Sequence, residues 1–308
     1  MVTTAPPTRS LEQYVPRIAT EWELDAPDRS WQVIDATLCF VDISGFTNLS
    51  ERLARFGRIG AEELTDVLNR VFGRKLELTN SQGGSLLKCG GEALLLLFTG
   101  HDHALRAVSA AIEMRSALRA AASERTSVGR LALRMSVGVH TGPIHVFRTG
   151  RDHHELVITG PGGTTTTEME KTAGPGEIVI SDETRAALPG VPATEPRGRG
   201  WLLKWRTPKC IGESPILRRA SDAADANTWV PTALCDFLLE ARPEPEHRIA
   251  TVGFIRFCDV DRRLAHDGPN LVAKSLDATI TAIQEAADEE GVAFLATDIN
   301  EDGGKVIL

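Results

Sequence analysis

Two apolar runs joined by a glycine pair, GGSLLKCGGEALLLLF at 83–98, leave the centre of this chain little choice of structure. The runs are strand-sized, and Gly90-Gly91 supplies the backbone freedom that a tight reversal needs, so the stretch predicts a β-hairpin. On either side the apolar period changes from two to about 3.6. Leu64, Val67, Leu68, Val71, Phe72 and Leu76 fall on one helical stripe, and Leu105, Val108, Ile112 and Leu118 on another. Before the first helix, ATLCFV at 36–41 reads as a buried strand. After the second, LALRMSVGVHTGPIHVF at 131–147 predicts another hairpin, turning near Thr141 to Pro143. A strand at 155–159, a helix at 164–173 and a strand at 177–180 complete the unit. Strand, helix, hairpin, helix, strand is the order of an α+β sandwich of ferredoxin-like type, βαββαβ.

The rest of the chain divides around that unit, which spans 31–190. Residues 1–30 carry Pro and charge and read as a loose leader. Residues 191–248 include RGRGWLLKWRTPK and ARPEPEHR and read as a connector with a little structure of its own. At 249 the pattern restarts. IATVGFIRFCDVD repeats the opening strand, NLVAKSLDATITAIQEAADEEG the helix and VAFLATDINEDGGKVIL the hairpin. Residues 249–308 are thus expected to be a truncated second copy, about half the first, packed across the face that carries Asp42.

Charge and composition narrow the function. A formal net charge of -8 argues against a nucleic-acid binder held by a basic face. No apolar run nears the roughly 20 residues a membrane helix needs, and MVTTAPPTRSLEQYV lacks the basic-then-apolar order of a signal peptide. The five cysteines are scattered and form no C-x-x-C, which suits a reducing cytoplasm.

Chemistry concentrates in FVDISGFTNLSERL, 40–53. Asp42 ends an apolar run, and Ser44-Gly45 leaves an open backbone before a helix that starts near Phe46 or Thr47. Glu92 follows the Gly-Gly turn. Either these acids start turns, or they converge at one sheet end to hold Mg²⁺ or Mn²⁺ while the helix start cradles phosphates. The histidines offer less. His140 suits strand-end packing, and His153 and His154, as sequence neighbours, point apart and make a poor metal pair.

The residues carry a resemblance. FVDISGFTNLSERL resembles the first metal-binding motif of class III nucleotidyl cyclases, and LLKCGGEALLLLF the second. SVGVHTGPI and AGPGEIVIS are similar to two further stretches of that fold, in the same order. The match is closest to the tandem, soluble adenylyl-cyclase-like branch. The resemblance implies an adenylate cyclase that converts ATP to 3′,5′-cyclic AMP and pyrophosphate in intracellular signalling. It implies two Mg²⁺ or Mn²⁺ ions held by Asp42, Glu92 and the Ile43 carbonyl. Lys88 would read the adenine edge, Phe46 and Thr47 would meet the phosphates, and Lys305 would meet the terminal phosphates. The partner would be a second cyclase domain in cis or a homodimer mate, with no nucleic acid and no membrane.

Three positions depart from the family pattern. The second metal ligand, usually Asp, is Glu92. The transition-state Asn and Arg, four residues apart on one helix, read Thr164 and Glu168 here, and the second copy stops before that helix. Arg256 stands where Asp42 would repeat. A second reading therefore stays open, a catalytically degenerate nucleotide-binding or dimerisation module.

Overall fold

The computed structural model describes residues 11–121, 125–130, 133–190, 193–204, 226–239 and 250–308. After a 3-10 turn, Leu11–Tyr14, helix α1 (Arg17–Asp25) leads into strand β1 (Trp31–Ser44). Helices α2 (Phe46–Ala54) and α3 (Gly57–Ser81) follow, then the hairpin β2 (Ser85–Gly90) and β3 (Ala93–Thr99), and α4 (His103–Ala121). A two-residue ribbon, β4 (Arg125–Thr126) and β5 (Gly129–Arg130), precedes β6 (Arg134–Thr149) and β7 (Glu155–Thr159). Next come α5 (Pro161–Thr172), β8 (Ile178–Ile180), α6 (Asp182–Ala187), β9 (Thr194–Arg197) and β10 (Gly200–Leu203). The last segments hold α7 (Thr232–Leu239), β11 (Phe254–Phe257), α8 (Val260–Asp267), α9 (Pro269–Glu289), β12 (Ala296–Asn300) and β13 (Gly303–Ile307).

Alternation along the strands sorts the core into two faces. Cys39, Val41 and Ile43 of β1 join Leu94, Leu96 and Phe98 of β3 beneath α3 and α4. Leu38 of β1, with Leu95 and Leu97 of β3, packs on the opposite face. By the same alternation Asp42 belongs to this second face. The strand order is β2-β3-β1-β6-β8-β10-β9, with β7 paired to β6. The expected α+β order, with its hairpin at Gly90-Gly91, is the observed one.

Two expectations change and a third takes definite form. The hairpin predicted at 131–147 is one continuous strand, β6, lying along β1 from Trp31↔Phe147 to Ser44↔Arg134. Thr141 and Pro143 stay in the ladder, Gly142 takes φ +152 within it, and Thr141 Oγ1 lies 2.8 Å from Thr37 Oγ1. The chain reverses instead at Gly150, φ +92, so that Thr149 faces Glu155. The leader is not loose where it is described. Leu11, Val15, Ile18, Ala19 and Trp22 are buried against the Leu38 face, an apolar stripe that the surrounding Pro and charge conceal. Finally, the little structure expected in the connector is, over 194–203, the hairpin β9–β10, which extends the main sheet at its edge, where Trp201 Nε1 donates to Asp182 Oδ1 at 2.6 Å. ARPEPEHR and the end of RGRGWLLKWRTPK lie outside the described residues.

Residues 250–308 form a three-stranded sheet, β11-β13-β12, with α8 and α9. Val260, Val272, Leu276, Ile280 and Val306 close a shared core with Phe147 and Val157. Ile299 of β12 joins the core on the face that Asp42 shares.

Gly138 of β6 lets α5 lie directly on the sheet. A Cβ there would collide with the Thr166 carbonyl oxygen and the Glu170 backbone nitrogen, neither of which can swing away. Gly138→Ala is expected to lower stability by about 1–3 kcal/mol, read as a lower urea midpoint at unchanged slope.

Candidate functional site

In the antiparallel pair of β1 and β3, Val41 lies opposite Leu94. Asp42 is one residue further along β1, and Glu92 lies in the turn just before β3, so the two acids meet at one end of the sheet. Burial, and then the charge of Asp42, raise the Glu92 carboxyl above its ordinary value. Glu170 of α5 lies near as well. Burial raises its carboxyl, the hydrogen bond from Ser136 (2.8 Å) opposes this, and Asp42 adds to the rise. Ser136 is the cross-strand partner of Asp42.

The backbone beside these acids is open. Gly45 takes φ +92, and α2 begins at Phe46 with no side chain capping it. The first N–H groups of a helix have no partner within it, so those of Phe46 and Thr47 add the positive end of α2 to the site. Ile43 is buried in the core under α3 and α4.

One group at this corner was not singled out from the sequence. Lys75 of α3 is 2% exposed, and its Nζ has no hydrogen-bond partner among the described residues. Burial pulls its pKa down to about 7, against the opposing charges of Asp42 and Cys39. The signal was present, since Lys75 sits four residues after Val71 and three before Leu78, on the apolar stripe of α3.

The other candidate residues lie along the seam with 250–308. Lys88 Nζ meets Glu155 Oε2 at 2.6 Å, with only 11% and 6% of the two side chains exposed. Thr297 covers the pair, its Oγ1 donating to the same Oε2 at 2.7 Å. Burial would raise the Glu155 carboxyl, but the Lys88 charge and hydrogen bonds from its neighbours overrule that and hold it at about 2. Lys88 is thus engaged rather than free. The pair forms part of the wall of a cavity of about 730 Å³ between β2, α7 and the N-terminal turn. Thr164 Oγ1 accepts the Asp302 N–H at 2.8 Å, and Glu168 pairs with Arg199 at 3.2 Å. Lys305 pairs with Asp298 at 3.0 Å. His140 packs at its strand as expected, with Nδ1 3.0 Å from Ser181 Oγ. The structure therefore brings Asp42, Glu92 and the start of α2 together, and places Lys88 and Thr164 on the seam.

Among the described residues no three His, Cys, Asp or Glu side chains cluster as a metal-binding set. A half-buried carboxylate whose charge is disfavoured by burial and by a neighbouring acid is nevertheless a donor that a hard divalent cation would relieve, so the chemistry at Asp42 and Glu92 fits Mg²⁺ or Mn²⁺. No helix among the described residues is long and apolar enough to cross a membrane.

Comparison with known proteins bears on the same segment. A family model described as the adenylate and guanylate cyclase catalytic domain matches residues 30–200. Adenylate cyclase type 10 of Oryctolagus cuniculus is 32% identical over 139 residues, 43% of this chain and 9% of that protein. The membrane guanylyl cyclase of Dictyostelium discoideum is 26% identical over 175 residues, 55% of this chain and 11% of that protein. The chain spans about a tenth of the length of these relatives. The crystal structure of the guanylyl cyclase Cya2 superposes with a TM-score of 0.50 at 26% identity, covering 60% of this chain and 99% of that one. A bacterial light-regulated adenylyl cyclase shares the fold at a TM-score of 0.52 and 16% identity, covering 63% of this chain and 59% of that one.

Proposed function

Because the chain belongs to the family of adenylate and guanylate cyclase catalytic domains, we propose that it is an adenylate cyclase, forming 3′,5′-cyclic AMP and pyrophosphate from ATP in the cytoplasm. The observation that carries this reading is the convergence of Asp42 and Glu92 at one sheet end beside the uncapped start of α2. Asp42, Glu92 and the Ile43 carbonyl would hold two Mg²⁺ or Mn²⁺ ions. Bound there, such ions would supply Lewis acidity for the ribose 3′-oxygen and the leaving phosphate. The Phe46 and Thr47 N–H groups orient the phosphates, and Lys305 meets the terminal ones. The ribose 3′-hydroxyl then loses its proton to water as its oxygen bonds to the α-phosphorus and the bond to pyrophosphate breaks. Lys88 is assigned to the adenine edge, where its ammonium suits the purine N1 acceptor. Its pairing with Glu155 means that a base must share or displace that partner.

We read residues 249–308 as a partial second copy of the domain. Its order β11, α8, α9, β12, β13 repeats β1, α2, α3, β2, β3, and in both units the first strand pairs with the second strand of the hairpin. The family's transition-state Asn and Arg have no counterpart in α5, where Thr164 and Glu168 bond to Asp302 and Arg199. Turnover by this chain alone is therefore slow, and a partner cyclase domain completes the site. Those same two bonds favour the second reading, a nucleotide-binding module without turnover.

Incubating the chain with ATP or GTP and Mn²⁺, and separating the products, tests the choice. Cyclic AMP in excess over cyclic GMP is expected. Equal yields, or cyclic GMP in excess, would overturn the adenine assignment.

A further inference from the structure

A row of charge runs across the small sheet toward the acid pair. Arg256 lies opposite Lys305, and Lys305 opposite Asp298, so the three side chains share one face. Asp298 is 8% exposed. Its Oδ2 takes Lys305 Nζ at 3.0 Å, and its Oδ1 accepts the Ile299 N–H at 2.8 Å. The same Oδ2 presses against β2 at Gly90, where an added Cβ would lie 3.3 Å from it. Gly90 is two residues before Glu92. The order in space is Arg256, Lys305, Asp298, Gly90, with the Glu92 turn beyond. Lys305 keeps about a third of its side chain exposed, and the Phe254 ring, 5.9 Å away, flanks its ammonium.

We propose that Asp298 is a positioning residue that holds Lys305 beside the Gly90–Glu92 turn, where its ammonium meets the terminal phosphates of a nucleotide seated on Asp42 and Glu92. This rests on the nucleotide reading of that site. The physical gain is preorganisation. A free lysine loses much of its rotamer freedom when it is fixed on a ligand, and a buried acid that holds it beforehand removes much of that cost from binding. Gly90 eases the approach, since a Cβ there would lie 3.3 Å from the carboxylate oxygen and crowd it. An ordinary cross-strand ion pair would look similar but would act on stability alone, without regard to phosphate number.

Phosphate number therefore separates the two. Mn²⁺-dependent binding of ATP, AMP and tripolyphosphate is measured on the full chain, on Asp298→Asn and on Asp298→Glu. Asp298→Asn is expected to weaken ATP and tripolyphosphate about tenfold and to leave AMP within about twofold, with partial recovery in Asp298→Glu. Lys305→Met is expected to show the same ATP-selective loss, which keeps the test decisive should Asp298→Asn fail to fold. Equal losses for all three ligands, or none, overturn the role of Asp298 while the nucleotide site stands. A wild-type chain that binds none of the three overturns both.

Discussion

Asp42→Ala is expected to abolish Mn²⁺-dependent ATP binding and to lower any cyclic AMP formation by at least about a hundredfold, the scale on which one preorganised electrostatic group acts in catalysis. Asp42 stands where three elements meet: it lies near the end of β1, faces Ser136 on β6 and sits beside the turn that bears Glu92. In Asp42→Ala, burial, the larger cause of the raised Glu92 carboxyl, stays, but the lesser push from the Asp42 charge goes, so the remaining acid ionises somewhat more easily yet has no second donor beside it. Glu92→Asp should act in the opposite sense. Its shorter arm suits the strict octahedron of Mg²⁺ better, whereas Mn²⁺ tolerates either length. Isothermal titration with each ion in the presence of ATP reads both effects. Tight Mn²⁺–ATP binding retained by Asp42→Ala would dismiss the carboxylate pair as the metal site.

The second large effect belongs to the buried pair of Lys88 and Glu155. Lys88→Met leaves Glu155 as an unpaired charge at 6% side-chain exposure and is expected to cost about 3–5 kcal/mol. Adding Glu155→Gln should recover much of that loss, because the stranded charge disappears with it. The same carboxylate sets an acid limit. Its pKa falls from an ordinary 4.5 to about 2 on folding. A depressed acid contributes stability that is fully present above about pH 4.5 and lost as pH falls from there through about 2. The shift corresponds to roughly 3 kcal/mol. Since Thr297 bonds to Glu155 through both its N–H and its hydroxyl, hydrogen exchange at 296–300 should rise first on acidification. Unfolding curves that do not change between pH 5 and pH 3, or a Lys88→Met chain as stable as wild type, would contradict this.

How far these features could be read from sequence depended on whether the signal was local. The β2–β3 hairpin was legible because Gly90-Gly91 lies between two apolar runs, and α3 because its stripe from Leu64 to Leu76 repeats over more than three turns. The long strand β6 was not. Gly142 and Pro143 are turn residues by local rule, yet fourteen consecutive pairings with β1 outweigh them. The buried stripe from Leu11 to Trp22 was hidden because composition averages over a segment whose apolar residues all face one way. At the site, Asp42 and Glu92 announced themselves as acids at the ends of apolar runs. Lys75 lies hidden among its helical neighbours, although a lysine on an apolar stripe is itself a signal. Glu155, Thr297 and Asp298 depend on contacts more than a hundred residues apart in sequence, or on a seam that only the folded chain creates. No local pattern encodes them.

The most direct test of the whole account is the rate at which the chain forms cyclic AMP with and without a cyclase domain that supplies an Asn-x-x-x-Arg helix in trans. Radiolabelled ATP, Mn²⁺ and the purified chain should yield cyclic AMP and pyrophosphate in equal amounts. The rate should rise at least about a hundredfold when the partner domain is added, matching the loss expected for a missing transition-state group. The rise must vanish in Asp42→Ala paired with the same partner. A rate that the partner leaves unchanged, or cyclic AMP formed equally well by Asp42→Ala, would contradict the account.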